Sequence, residues 1–108
     1  MKTKIPYILD AKVLSGKASS YESWVKRNEC LVNELITQSA NLLIEDETLK
    51  HINVIELFID KDVYTVMSLD RRGLKSSLLK VINSWTRLEN YEKATTVQNL
   101  LNKIENKD

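Results

Sequence analysis

The chain holds one histidine and one cysteine, and that scarcity decides most of what its side chains could do. A bound transition metal takes three or four His, Cys or carboxylate ligands at short spacings. His51 and Cys30 stand alone, with no HxxxH or CxxC pattern around them. His51 follows Lys50 and reads as a surface or cap residue. Cys30 falls in a helical stretch, between its apolar stripe and flank. It reads as a buried structural thiol, because nothing in the sequence pairs it with a base. Glu45-Asp46-Glu47 and Asp60/Asp62 are the acidic groups. Neither has the spacing or the turn glycine of a calcium loop, so they read as a solvated helix end and a hairpin link. With two glycines in all, there is no phosphate-cradling loop. The expectation is a protein that is not an enzyme and uses no metal or cofactor.

The basic residues of one helical stretch are more suggestive. With Leu74 at zero on a helical wheel, Arg72, Lys80 and Arg87 fall between about 160° and 240°, opposite the stripe Leu74, Leu78, Val81, Trp85 and Leu88. Ser76 and Asn83 share that face, and Leu79 sits on its edge. Such a ridge suits phosphates or an acidic protein surface. Arg72, Leu79, Lys80, Asn83 and Arg87 are therefore the candidate partner-binding residues.

The elements that must position them follow from periodicity. Residues 1–18 read as an extended arm or edge strand, because Pro6 cannot donate a ladder hydrogen bond, and then a loop around Gly16. A helix is expected over 19–44, opened by Ser19 and Glu22 at capping-box spacing. Its stripe is Trp24, Leu31, Leu35 and Leu42, with Val25, Val32, Ile36 and Leu43 one step round. Residues 53–69 are rich in β-branched and aromatic types and read as a β-hairpin. One face would hold Ile55, Leu57 and Ile59, and one face of the second strand Val63, Thr65, Met67 and Leu69. A helix over 47–59 competes with it, since Leu49, Ile52, Ile55 and Ile59 also fit helical spacing. Residues 70–105 read as an antiparallel helical hairpin, with a break at Glu89–Asn90 and Asn90 as N-cap. The fold class is α+β and mostly helical.

Within that hairpin, residues 88–104 resemble the second half of a UvrB/UvrC-type (UVR) helical-hairpin motif. Glu89, Tyr91, Glu92 and Ala94 match its opening, and Val97, Leu101 and Ile104 its spaced aliphatics. Thr95 replaces its second alanine, and Gln98-Asn99 its Arg-Asp pair. Asn90 to Ala94 also resemble the opening of a tetratricopeptide-repeat helix, but no second copy appears. The UVR resemblance implies a protein–protein docking hairpin rather than a catalyst.

Length and composition agree with a small interaction protein. The chain has 108 residues, 43% hydrophobic and 29% charged, which fits one domain with its own core and excludes wholesale disorder. A single cysteine forbids an internal disulfide and suits a reducing compartment. No apolar run approaches the roughly 20 residues of a membrane span, and the N-terminal stretch is too broken for a signal peptide. A cytoplasmic protein without membrane contact is expected. Charge is uneven: +3 over residues 1–20, −1 over 21–40, −5 over 41–70 and +4 over 71–108, for a net +1. A dedicated nucleic-acid binder is usually basic throughout, whereas the acidic middle here offsets the basic ends. The leading expectation is an adaptor or inhibitor that binds another protein through exposed helical faces, of bacterial or phage type in its Lys-, Asn- and Ile-rich composition. The alternative is a small nucleic-acid-binding regulator using the basic ridge. The last helix carries a wider apolar arc than one helix covers, so the long helix or a second subunit of a homo-oligomer must pack there too.

Overall fold

A computed structural model describes residues 5–10, 20–59 and 61–105. Its elements run β1 (Tyr7–Asp10), α1 (Ser20–Arg27), α2 (Glu29–Glu45), β2 (His51–Ile59), β3 (Asp62–Asp70), α3 (Leu74–Arg87) and α4 (Tyr91–Glu105). The fold is α+β and mostly helical. The strands form one mixed sheet in the order β1-β2-β3, with β1 parallel and β3 antiparallel to β2. Of the arm expected over residues 1–18, only Tyr7–Asp10 is seen as a strand; the loop after it and Ser19 lie outside the described residues.

The expected single long helix is two. Asn28 breaks it, at φ −112° and ψ 35°. Its amide N–H and its side-chain Nδ2 both donate to the Trp24 carbonyl, at 2.9 Å each, which shows why Asn weakens helix interiors: its side chain competes for backbone acceptors. After the break, the inward face of α2 is Val32, Leu35, Ser39, Ala40 and Leu43. Leu42, expected in the stripe, is exposed, and Leu31 is half-buried. Ser39 is buried without penalty because its hydroxyl donates to the Leu35 carbonyl at 2.8 Å. Cys30, expected to be buried, is exposed, since it lies on the side of α2 away from Leu35 and Leu43.

Residues 47–59 form no helix: β2 and β3 make the hairpin, two residues longer at its start than expected. Lys61, in the two-residue link, has φ 74°, as tight hairpin turns require. Ladder irregularities lie between Asn53 and Ile55 and between Leu57 and Phe58. At the first, Val54 is the extra residue, and both Val54 and Ile55 are buried. At the second, Tyr64 is extra, so Val63 faces Phe58. The slip turns Val63 out of the face expected for it, and it is exposed.

The core forms where α2 crosses the sheet. Leu35, Ala40 and Leu43 meet Val54, Ile55, Leu57 and Leu69, and Trp24 stacks on Tyr7 with ring centroids 5.7 Å apart. Helix α3 packs on α2 through Leu74, Leu78, Val81 and Trp85, and α4 packs on α3 through Ala94, Val97, Leu100 and Leu101. The α3–α4 connection is a Schellman turn: Asn90 N–H donates to Trp85 O at 2.8 Å, and Glu89 N–H to Thr86 O at 3.0 Å. Glu89 takes the left-handed conformation, φ 61°. Asn90 then caps α4, its Oδ1 accepting from Lys93 N–H at 3.2 Å.

Candidate functional site

The approach to α3 sets where its basic residues point. Arg71 donates from Nε to Leu49 O at 2.9 Å and from Nη2 to Asp46 O at 2.7 Å. It pins the β3–α3 turn to the carboxyl end of α2, where a cation is favoured. Asp70 accepts from Gly73 N–H at 2.7 Å, and a side chain at Gly73 would press on that carboxylate at 3.3 Å. Helix α3 therefore begins at Leu74, four residues later than the hairpin's expected start at Asp70. Arg72 belongs to the turn, and its place on the helical wheel no longer applies.

The five candidate residues consequently separate. Lys80 and Arg87 line a cleft of about 380 Å³ between α1–α2 and α3. Arg72 lines a different cleft, of about 590 Å³, with Lys50 and His51. Leu79 and Asn83 are exposed on α3 and line neither, with Leu79 48% exposed. The floor of the Lys80 cleft is apolar, built from Val25, Val32, Ile36 and Val81. Its rim carries Lys26, Lys80 and a polar chain that sequence reasoning missed.

That chain starts at Asn33, which is buried on α2. Its Nδ2 donates to Ser84 Oγ at 2.8 Å; the Ser84 hydroxyl donates to Glu29 Oε2, and Arg87 donates to the same carboxylate oxygen. Arg87 is thus not a free ridge cation but the ion-pair partner of Glu29, whose hydrogen bond and negative charge push the guanidinium pKa above its ordinary value. The hydrogen bonds from Arg87 and Ser84 in turn hold the Glu29 carboxyl below its ordinary 4.5. Arg72, Lys26 and Lys80 have no ion pair among the described residues. A third cleft, of about 250 Å³, has Trp85 and Val97 in its lining, with Lys93 paired to Glu34 beside them.

Two expected outcomes follow from the polar chain. Ser84→Ala leaves the Asn33 amide without its partner, and an unsatisfied buried donor costs about 1–3 kcal/mol. Urea melts should show that loss, and the Asn33→Leu, Ser84→Ala double variant should recover most of it. A double variant that loses the sum of both singles would mean the bond is not the reason. Glu29 adds a pH dependence. A carboxyl depressed in the folded state contributes stability above its unfolded value, and that contribution is lost as pH falls through the folded value. Asp46, depressed by Thr48, acts in the same direction. Glu29→Gln should therefore flatten, not abolish, the loss of stability below 4.5. Parallel wild-type and variant melting curves across that range would contradict it.

His51 is exposed, like Cys30. Among the described residues, no three His, Cys, Asp or Glu side chains gather closely enough to hold a metal ion, and no helix is long and apolar enough to cross a membrane. Compared with protein-family models, curated proteins and solved structures, the chain shows no significant match.

Proposed function

We propose that the chain is a protein-docking module, an adaptor or inhibitor, whose partner lays an apolar segment with acidic flanks into the cleft between α1–α2 and α3. The observation that carries this is the pairing of an apolar floor, Val25, Val32, Ile36 and Val81, with rim ammonium groups of Lys26 and Lys80 that no carboxylate neutralises among the described residues. Apolar burial supplies affinity, and unpaired rim cations select an acidic partner and speed encounter. Leu79 and Asn83 extend the contact outward along α3, and Arg87 serves as a fixed wall through Glu29. The α3–α4 hairpin, whose second helix resembles the UVR motif, acts as the docking frame. An exposed free thiol, Cys30, suits work in the reducing cytoplasm.

Capture from a lysate of the producing cell tests this. Wild type should retain a protein that a Lys26→Glu, Lys80→Glu variant loses at least about tenfold, a difference of about 1.4 kcal/mol. A control reversed at Lys61 and Lys103, which lie outside the cleft, should retain it. Equal retention by the two variants contradicts the assignment.

A further inference from the structure

The two edges of the sheet are finished differently. β1 is four residues long and follows directly on Pro6, which has no N–H to offer. β3 is nine residues long and pairs only with β2, so no strand among the described residues covers its other side. Its interior, Val63–Leu69, holds no charge, proline or glycine. Proteins usually blunt such an edge by shortening, charge, proline or bulges. Here the extra Tyr64 near the start is the one bulged residue of β3; the other bulge, Val54, lies on β2 opposite the Met67–Ser68 step, and β3 itself runs from Thr65 to Leu69 without an extra residue.

We propose that a second copy of this chain occupies the edge, β3 against β3, antiparallel and centred on Val66, so that two three-stranded sheets join into one of six. Exposed Val66 meets the partner's Val66. Thr65 and Met67, half-buried on the helix side, meet the partner's Met67 and the partner's Thr65 and become covered. At the ends, Asp62 falls directly opposite the partner's Asp70, a like-charge pair that costs stability. There the Asp70 carboxylate is already turned to Gly73 N–H at 2.7 Å. That leaves Arg72, which has no ion pair among the described residues, to reach Asp62 diagonally. Stacking two outer sheet faces is the poorer solution. Glu56 sits mid-face, in register between Ile8 and Val66 and bonded to Asn53 at 3.0 Å, and that packing would bury its carboxylate. The edge shares no residue with the α1–α2/α3 cleft, so this pairing stands or falls apart from the docking proposal.

Sedimentation velocity on the full chain tests it. Wild type should sediment as a dimer at about 100 μM and dissociate on dilution toward about 1 μM, a micromolar equilibrium. Val66→Lys and Val66→Glu place like charges opposite each other on the two-fold axis. Each alone should be monomeric, and an equal mixture should regain the dimer. As a readout that needs no variant, amide exchange along Thr65–Leu69 should slow at the higher wild-type concentration. A monomeric wild type at about 100 μM overturns the proposal. So does a Val66→Lys chain that dimerises as wild type does, a mixture that stays monomeric, or β3 exchange that ignores concentration.

Discussion

Trp85→Ala should be among the most damaging single substitutions in the chain, lowering stability by about 3–5 kcal/mol, the range for deleting a large buried side chain. Trp85 is 3% exposed and faces inward on α3. It is held from two sides. Lys93 Nζ lies 4.8 Å from the ring centroid, and the backbone carbonyl of Trp85 anchors the Schellman turn into α4. Lys93 is itself oriented by its pair with Glu34 on α2, so the indole lies where three helices converge. Truncation widens the small cleft beside it and loosens both the α3–α4 and the α2–α4 contacts. A domain near 100 residues melts about 4–8 °C lower for each kcal/mol lost, so a fall of about 12 °C or more is expected. Lys93→Ala, which removes a half-exposed ion pair and the ring contact, should cost about 1 kcal/mol or less. A Trp85→Ala shift under about 5 °C would place the indole at the surface and make it a binding residue instead.

The helical hairpin was legible because its apolar residues repeat strictly. Leu74, Leu78, Val81 and Trp85 are all buried, and Asn90 caps α4 as its type and place suggest; Leu88 and Tyr91, expected in the same stripes, flank the turn between the helices and are exposed. The β-hairpin was legible in kind but not in facing. Two extra residues, Val54 and Tyr64, each slip the ladder by one, and alternation alone cannot show a bulge. The long helix was misphased for a similar reason: one side chain, Asn28, interrupts it through a bond to Trp24. The candidate ridge suffered most. Reading α3 back to Asp70 put Arg72 on a face it does not share. Arg87 looked free because its partner, Glu29, stands 58 residues away in sequence. No local pattern reports contacts at that separation. Glu29, Asn33 and Ser84 meet only once α2 and α3 are packed together.

The second large effect concerns the cleft itself. Ile36→Glu puts a carboxylate into the apolar floor of a groove whose rim is cationic. Ile36 is only half-buried, so the fold should tolerate the change with a modest loss. A partner that inserts apolar side chains should not tolerate it, because covering a carboxylate with apolar groups is costly, and any pairing of it with Lys26 or Lys80 takes that cation from the partner's acidic flank. Partner affinity should fall at least about a hundredfold, about 2.7 kcal/mol, mostly through faster dissociation. Reversal of Lys26 and Lys80 should instead act mainly on association, as rim charges do. If the two variants lose affinity through the same rate constant, the division into floor and rim is wrong.

A salt titration separates protein docking from nucleic-acid binding most directly. Affinity is measured for the captured protein, and for mixed-sequence duplex and single-stranded DNA and RNA, as salt rises through the physiological range. A binder that neutralises phosphates weakens with a log–log slope of about 0.9 for each contact, whereas apolar burial is not screened. A shallow slope is expected for the protein partner, with no measurable nucleic-acid binding near physiological salt. Low-micromolar binding to mixed-sequence nucleic acid, steeply salt-dependent and lost when Arg72, Lys80 and Arg87 are reversed to Glu, would contradict that expectation.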